Sequence, residues 1–338
     1  MTNLKNLEEE ILAPSPSLVG DMKKMEGDLM LLGAGGKMGP SLAILATKAL
    51  EQAGKDNAVI AVSRFSDSSM VEELEARGVQ TIKADLLDET QLSALPEARN
   101  VLFMAGTKFG TTGRESFTWA MNAYLPGRVA KKFRNSRIVA FSTGNIYPYV
   151  PVISGGATEE MPPGPVGEYA QSCLGRERMF EHFSLKYQTP CLIYRLNYAI
   201  DFRYGVLLEI GRSVLEEREI DLSSGHVNVI WQGDANEYAL RCLHLCESPA
   251  RKLNITGPET VSVRWAAQEF GRLFDKAPKF IGEEQPTALL NNATLAHQLF
   301  GYPKVSLREM IRLLSVWLSS GGETINKPTH FQERKGNY

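Results

Sequence analysis

The sequence predicts an α/β fold in which helices cover both faces of a doubly wound parallel sheet. From about residue 27 to residue 195, short apolar segments alternate with helical patterns, an order typical of strands joined by helical crossovers. The strand segments are continuous apolar runs, as expected of parallel strands that are buried on both faces. After about residue 196 the alternation ends, and a smaller region beside the sheet is predicted.

Each strand is predicted from a short apolar or β-branched run, and each helix from apolar residues at helical spacing. The predicted strands are Leu29–Leu32, Ala58–Val62, Gln80–Lys83, Val101–Met104, Arg137–Phe141 and Cys191–Arg195. The predicted helices of this part are Ser17–Lys24, Pro40–Ala53, Met70–Arg77, Glu89–Ala94, Phe117–Phe133 and Glu168–Tyr187. Further helices are predicted near 205–218, 234–246, 262–274 and 305–319.

These elements predict a domain order along the chain. Residues 1–26 are expected to be an N-terminal extension, and residues 27–195 the domain that contains the sheet. Residues 196–320 form the smaller region, and the polar segment 321–338 is expected to be a frayed tail.

Composition excludes several classes of function. With 37 basic and 39 acidic residues the net charge is −2, so no whole-surface field favours nucleic acid or an anionic membrane. No apolar run approaches the roughly 18 residues of a membrane span. The four cysteines have no CxxC spacing and the five histidines are scattered, so no disulfide framework or metal site is expected. A reducing, cytoplasmic location fits this cysteine usage.

A glycine-rich loop follows the first predicted strand and precedes a helix. Gly33, Gly36 and Gly39 have GxxGxxG spacing, and Gly35 adds a GxG. Glycine allows positive φ and close backbone approach, and the helix N-terminus attracts phosphate, so the strand–loop–helix context predicts a dinucleotide site. Lys37 and Met38 complete the loop. Because Met38 rather than Ser or Thr follows Lys37, a mononucleotide P-loop is excluded.

The end of the second strand indicates the cofactor. An acidic residue there usually binds the ribose of NAD, whereas arginine accommodates the 2′-phosphate of NADP. This strand ends at Ser63 and Arg64, and the first acid, Asp67, comes three residues after Arg64. NADP is therefore favoured over NAD, with Lys37 as a second candidate cation. The competing interpretation is that both side chains are only solvated surface charges. It is a stronger competitor for Lys37 than for Arg64.

The sequence resembles the extended short-chain dehydrogenase/reductase family, the NAD(P)-dependent epimerases and dehydratases, over roughly residues 27–320. The resemblance rests on a Rossmann-like glycine loop, on the segment Ser142–Tyr147 and on Tyr169, which matches the Tyr of a YxxxK motif. It implies that Tyr169 and the hydroxyl of Thr143 are catalytic, that Asn122 is structural, and that the region after 196 binds substrate. It also implies cofactor contacts by Asp85, Leu86, Ala105 and Gly106.

The motif departs from the family at position 173, where Cys replaces Lys. That lysine supplies positive charge near the tyrosine, whose ordinary pKa near 10 must fall for it to act as a base near neutral pH. Lys108, in the segment after the fourth strand, is the first candidate for a replacement cation; a solvated loop lysine is an equal alternative for it. Arg176, at i+7 from Tyr169, is the second, although a solvated helix face is expected for it. The third alternative is a cofactor-binding protein without efficient turnover.

Two further departures narrow the substrate. Gly144-Asn145 follows Thr143 where family dehydratases have Asp-Glu, so elimination of water is disfavoured. Val227 stands where an arginine often holds a nucleotide diphosphate. The predicted function is therefore an oxidoreductase or epimerase for a small carbohydrate, sugar acid or keto-sugar. The candidate substrate contacts are Asn145, Asn197, Tyr198 and Trp231, each of which also fits a structural position.

The alternative function is a redox-sensing or regulatory protein that binds NADP on the same fold. A homodimer paired through the two long helices is expected from the resemblance.

Overall fold

The computed structural model describes residue 9, residues 12–108, residue 110 and residues 112–337. Its main sheet has seven strands, and the parallel pairings join β1 to β2, β2 to β3, β1 to β4 and β4 to β5. The strands are β1 (Leu29–Leu32), β2 (Val59–Ser63), β3 (Gln80–Lys83), β4 (Asn100–Phe103), β5 (Arg137–Thr143), β6 (Cys191–Leu196) and β7 (Arg251–Ile255). The order across the sheet is β7-β6-β5-β4-β1-β2-β3, which confirms the predicted doubly wound α/β class.

Helices connect these strands and continue beyond them. In the first part of the chain they are α1 (Pro16–Lys23), α2 (Gly39–Gln52), α3 (Ser68–Ala76), α4 (Glu89–Ala94), α5 (Glu115–Trp119), α6 (Leu125–Lys132) and α7 (Gly167–Tyr187). They are followed by α8 (Val206–Leu215), α9 (Gln232–Arg241), α10 (Val263–Phe274), α11 (Thr294–Phe300) and α12 (Leu307–Ser319). Short two- and three-residue strands form four additional pairs.

The direction of the sheet order reverses between β1 and β4. From β1 the chain builds outward through β2 and β3, and then returns to place β4 on the other side of β1. Ligands of open α/β sheets bind in the crevice outside the strand ends at such a switch point. The glycine loop follows β1 directly, so the fold puts it at this point.

The sheet strands are buried as continuous apolar runs. All four residues of β1 are fully buried, and the alternate residues Met30 and Leu32 belong to one core cluster with Val101 and Phe103 of β4. Helix side chains such as Phe180 complete that cluster. This arrangement explains why a period-two pattern is absent from the strands of the sequence.

The predicted single helix Phe117–Phe133 differs in the structure. It is divided into α5 and α6 by a π-helical segment, Ala120–Tyr124. Such segments are frequent at functional sites. Asn122 lies in this segment and is fully buried.

The chain forms two compact units that are discontinuous in sequence. Unit 1 contains residues 1–142, 171–194 and 236–252, and unit 2 contains residues 143–170, 195–235 and 253–338. The predicted linear boundaries, 27–195 for the dinucleotide-binding domain and 196–320 for the substrate region, differ from these units because each unit takes segments from both ranges.

Both chain ends also differ from expectation. Within the predicted extension 1–26, residues 1–8, 10 and 11 lie outside the described part, but α1 buries Leu18 and Met22 fully. The segment 321–338 was expected to fray, yet Phe331 is 3% exposed and the guanidinium of Arg334 lies 4.2 Å from the Tyr149 ring centroid. The tail is therefore a packed part of unit 2. Its polar composition gives no hydrophobic pattern from which these contacts could be predicted.

Candidate functional site

The glycine loop of unit 1 is shaped by tight backbone approaches. Gly33 has a φ of 94°, and a Cβ there would lie 2.6 Å from the Cα of Ala105. At Gly36 the only heavy atom within 4 Å of such a Cβ is the Gly33 oxygen, at 3.6 Å. Packing within the described residues thus explains Gly33 but not Gly36. The small residue at position 36 leaves room for a group that approaches the loop from outside.

The N-terminus of α2 has no side-chain cap, although its first N–H, that of Gly39, donates to the Gly36 carbonyl at 3.1 Å and Pro40 has no N–H. Met38 is its N-cap and makes no side-chain hydrogen bond to the helix, and no acidic residue lies in the first turn. The Ser41 hydroxyl donates to the Met38 carbonyl at 3.1 Å and so does not cap the amides. Uncapped amides at a helix N-terminus attract anions. Together with the open position at Gly36, they fit the pyrophosphate of a dinucleotide.

The residues at the end of β2 take different positions. Arg64 is exposed and has no ion pair with a described residue. Asp67 caps α3: its carboxylate accepts from the amide and hydroxyl of Ser69, at 2.9 and 2.7 Å. These hydrogen bonds lower the pKa of Asp67. The first acid after Arg64 in the sequence is therefore engaged in capping a helix.

The segments after β3 and β4 hold the remaining predicted cofactor residues. Asp85 accepts from the Leu87 amide at 3.0 Å, and Leu86 is buried. Ala105 is buried against Gly33, and Gly106 is exposed to solvent. Since Gly33, Ala105 and Gly106 follow β1 and β4, the structure gathers them at the switch point of unit 1.

The side chain of Asn122 holds the segment after β4 in place through hydrogen bonds. Its Oδ1 accepts from the Thr107 amide at 2.9 Å, and its Nδ2 donates to the Thr107 carbonyl at 2.9 Å and to the Ser172 hydroxyl at 3.0 Å. The side chain thus ties the loop to α7. Sequence reasoning found Asn122 only through the family resemblance, because a lone asparagine in a helix carries no pattern of its own.

Arg176 is buried, which corrects the expectation of a solvated helix face. Its side chain is 7% exposed, and its guanidinium donates to the Phe141 carbonyl at 2.7 Å and to Asn122 Oδ1 at 2.8 Å. A Cβ at Gly106 would meet this guanidinium. Arg176 is therefore a positive charge held directly against the Gly106 segment.

Lys108 interacts electrostatically with Cys173, the residue at the predicted lysine position of the YxxxK motif. Cys173 is fully buried in α7, one turn after Tyr169, and the charge states of Cys173 and Lys108 interact. Burial lowers the pKa of Lys108 from 10.5 to about 8, and the interaction with Cys173 opposes that change. With a pKa of about 8, the ammonium remains mostly charged at neutral pH.

Thr143 and Tyr169 belong to unit 2. Thr143 ends β5, where its hydroxyl accepts from the Asn145 amide at 3.2 Å and donates to Asn145 Oδ1 at 3.1 Å. It thereby caps the 3-10 turn 144–146. Tyr169 is half-buried in the first turn of α7. Strand end and helix start thus each present one hydroxyl.

Tyr147, the other tyrosine of this segment, has a structural environment. Its hydroxyl donates to Asn254 Oδ1 at 2.9 Å and accepts from Arg195 at 2.6 Å. Burial, the largest effect, raises the pKa of Tyr147 to about 12, against the opposing effect of Arg195. A phenol in this state is a poor base near neutral pH, which leaves Tyr169 as the candidate.

The predicted substrate residues of unit 2 include buried polar atoms without a protein partner. Asn197 is 2% exposed and its Nδ2 has no acceptor, and Trp231 is 2% exposed and its Nε1 has none. Tyr198 has a φ of 42°, a left-handed conformation that is strained for a tyrosine. Asn145, in contrast, is engaged with Thr143.

Asn291 was not found by sequence reasoning. It is 2% exposed, and neither its Oδ1 nor its Nδ2 has a partner. A Cβ at Gly144 would lie 2.9 Å from its Cγ and its Nδ2. The amide therefore packs against the residue that follows Thr143. An asparagine between Leu290 and Asn292 forms no motif that would reveal this.

Two other kinds of feature are absent from the described residues. They contain no group of three or more His, Cys, Asp or Glu side chains arranged to hold a metal ion. No helix among them is long and apolar enough to cross a membrane.

Comparison with known families assigns the class of protein. Residues 29–200 match the model of the NAD-dependent epimerase/dehydratase family, and the chain belongs to this family. No curated protein sequence matches it significantly. The seven-stranded sheet agrees with this assignment.

Solved structures share the fold. A UDP-glucose 4-epimerase from Thermotoga maritima, with UDP-glucose, has a TM-score of 0.69 at 17% identity and covers 87% of this chain and 99% of its own. A UDP-glucuronic acid 4-epimerase from Bacillus cereus, with UDP-glucuronic acid and NAD, has a TM-score of 0.70 at 17% identity with the same coverage. An epimerase from Methanothermobacter thermautotrophicus has a TM-score of 0.72 at 16% identity and covers 90% and 96%. At such identities the likeness concerns the fold alone.

Proposed function

We propose that the protein is an NADP-dependent oxidoreductase or epimerase that acts on a small carbohydrate, sugar acid or keto-sugar. NAD is the second candidate cofactor, as it is present in the similar Bacillus cereus structure. When bound, the nicotinamide cofactor accepts a hydride from a substrate carbon or returns one to it. The observation that supports the proposal is the electrostatic interaction between Lys108 and Cys173, because it favours Lys108 as the positive charge that the departure from the YxxxK motif removes.

Tyr169 exchanges the proton of the substrate hydroxyl. Oxidation of an alcohol removes a hydride from carbon and a proton from oxygen, so a base is needed at that oxygen. Tyr169 is half-buried in the first turn of α7. Tyr147 is the less suitable base, because burial raises its pKa to about 12. The hydroxyl of Thr143 is the candidate hydrogen-bond partner of the same substrate oxygen.

The role we propose for Lys108 is to place positive charge near the phenol of Tyr169. Since Cys173 and Tyr169 are four residues apart on one helix, they lie on the same face, one above the other. A cation near Cys173 therefore acts on the turn that carries the phenol. Arg176 is the weaker candidate because its guanidinium already donates to Phe141 and Asn122.

NADP is favoured by the end of β2. Arg64 is exposed and has no ion pair within the described part of the chain, which leaves its guanidinium available to a 2′-phosphate. Asp67 caps α3 and is therefore not the acid that would bind a ribose hydroxyl. Lys37, half-buried in the glycine loop, is a second cation for the same phosphate group.

The substrate is proposed to be smaller than a nucleotide sugar. Val227 is 1% exposed in a short strand paired with Val261–Ser262, so this position offers no charge to a diphosphate. Gly144 and Asn145 follow Thr143, without the two acids that elimination of water needs. Asn145, Asn197, Tyr198 and Trp231 remain the proposed substrate contacts.

The alternative is a regulatory protein that binds the cofactor and senses redox state without turnover. The buried Cys173 favours it, because a thiol in this position cannot replace the charge of a lysine. Lys108 argues against it.

An absorbance assay decides between the two. Cofactor reduction and oxidation are followed at the nicotinamide band over a panel of sugars, sugar acids, keto-sugars and UDP-sugars. Epimerised products are followed by chromatography, because epimerisation returns the hydride and leaves the cofactor absorbance unchanged. The proposal expects turnover with a panel member and a loss of 100-fold or more in Tyr169→Phe, the scale of general base catalysis, at unchanged cofactor affinity. Tyr302→Phe, at a residue that is 74% exposed, is the matched control. Cofactor binding without turnover of any compound contradicts the enzyme proposal.

The homodimer stays a prediction. Trp119 and Tyr124 are exposed on the first of the two long helical regions, by 39% and 60%, which supports pairing there. The molecular mass of the protein in solution tests it: a monomer would contradict it.

A further inference from the structure

Asn291 differs from the other buried amides of unit 2. Its carboxamide has one acceptor oxygen and two donor hydrogens. Among the described residues it is the only asparagine or glutamine with both side-chain polar atoms buried and without a partner. Buried polar groups in folded proteins are nearly always hydrogen-bonded, so this amide calls for an explanation.

The backbone around Asn291 is firmly held. Its amide N–H donates to Asn228 Oδ1 at 2.7 Å. On either side, the Ala157 amide donates to the Leu290 carbonyl at 2.8 Å, and the Asn292 amide donates to the Ala157 carbonyl at 2.8 Å. The unbonded side chain is therefore placed by a fixed backbone and does not result from a loose loop.

The amide also lies at a specific point of the site. It packs against Gly144, so closely that any Cβ at this position would collide with it. Gly144 directly follows Thr143, whose hydroxyl caps the same turn. The side chain thus adjoins the backbone of the proposed substrate-binding turn, within the same unit.

We propose that Asn291 is a substrate-binding residue, whose amide oxygen accepts from one substrate hydroxyl while its nitrogen donates to the neighbouring oxygen. A vicinal diol, present in sugars and sugar acids, offers this donor and acceptor on adjacent carbons. The inference rests on the proposed function, since it assumes that a carbohydrate occupies the turn at Thr143. It adds a specificity element: compounds that lack one of the two adjacent oxygens bind less tightly.

The test compares Asn291→Leu, which keeps the size of the side chain and removes its polar atoms, with the intact protein. The unfolding midpoint is measured with NADP present, with and without D-glucose, D-galactose, D-glucuronate, D-fructose or UDP-glucose. Asn292→Leu is the matched control, because the Oδ1 of Asn292 accepts from the Thr294 amide at 2.9 Å and has a partner within the chain.

The inference expects at least one compound to raise the unfolding midpoint of the intact protein and of Asn292→Leu. For Asn291→Leu, the half-saturating concentration of that compound is expected to be tenfold higher. It also expects that the ligand-free midpoint of Asn291→Leu is no lower than that of the intact protein, whereas Asn292→Leu has a lower one.

Three results overturn it: equal ligand response in Asn291→Leu and the intact protein, a lowered ligand-free midpoint in Asn291→Leu, or no response of the intact protein to any compound. Turnover is measured separately. A protein that binds these compounds through Asn291 without turning them over contradicts the proposed function and leaves this inference standing.

Discussion

Two buried asparagines, one in each compact unit, have opposite environments. Asn122 of unit 1 is fully buried and bonds Thr107 twice, Ser172 once and Arg176 once. Asn291 of unit 2 is equally inaccessible, yet neither polar atom of its side chain has a partner. The difference is that the side chain of Asn122 is satisfied by its own chain, whereas Asn291 packs against the turn at Thr143 without a partner among the described residues.

The largest expected effect is on the free energy of unfolding, and it tests the hydrogen bonds of Asn122. Asn122→Leu removes the acceptor of Arg176 and the partners of Thr107 and Ser172, and leaves these groups buried. An unsatisfied buried group costs about 1–3 kcal/mol, so we expect a total loss of about 3–5 kcal/mol in the free energy of unfolding. Chemical denaturation measures it. Asn291→Leu, which removes no hydrogen bond, is the control, and equal losses in the two variants would abolish the contrast.

The sequence predicts the sheet better than it predicts these two asparagines. β1, β3 and α4 are predicted to the residue, because apolar runs and helical spacing are local properties bounded by turn residues. The π-helical segment at Asn122 was missed, since it depends on contacts with Thr107 and Ser172 that are distant in sequence. The site residues found from sequence belong to motifs.

Strand β7 and the packed tail were missed for related reasons. β7 (Arg251–Ile255) begins with two charged residues and is fully buried only in its last three, so it has no apolar run. In the tail, the Thr329 amide and hydroxyl donate to Glu209 at 2.8 and 2.7 Å, and Arg334 donates to Thr287. Polar partners of this kind leave no hydrophobic pattern in a sequence.

The second prediction concerns Lys108, a group in unit 1 that burial disfavours. Its pKa falls from 10.5 to about 8. The unfolded chain therefore binds this proton more tightly, and the charged lysine costs at most about 3 kcal/mol below pH 8. We expect Lys108→Met to raise the free energy of unfolding at pH 7 by up to that amount, with the gain disappearing as the pH rises from about 8 to 10.5.

The same variant is expected to lose activity. If Lys108 supplies the charge near Tyr169, the rate of the intact protein contains a component that falls above about pH 8, and Lys108→Met lacks it and is slow throughout. Lys24→Met, at a side chain that is 74% exposed, is the control for charge removal. Unchanged turnover in Lys108→Met would remove this lysine from the mechanism. Loss of stability at pH 7 would contradict the cost of its burial.

The smallest effect on the free energy of unfolding is expected at Arg64, which extends the comparison to a solvent-exposed polar group. Asn291 is desolvated without a partner, whereas Arg64 is exposed, so water already satisfies its guanidinium. Arg64→Asp should therefore leave the free energy of unfolding within about 0.5 kcal/mol of the original value. Its effect falls on cofactor binding: we expect the Kd for NADP to rise about tenfold, or about 1.4 kcal/mol, while the Kd for NAD stays the same or falls.

Titration of each cofactor against protein fluorescence measures both constants. The charge-matched control is Arg308→Asp, at a side chain that is 75% exposed in unit 2. A parallel rise for both cofactors would assign Arg64 to general electrostatic attraction, and equal affinities before and after would mean that its guanidinium does not contact the 2′-phosphate. With either result, the solvent exposure of a charged side chain in unit 1 would not be enough to identify it as a ligand-binding residue.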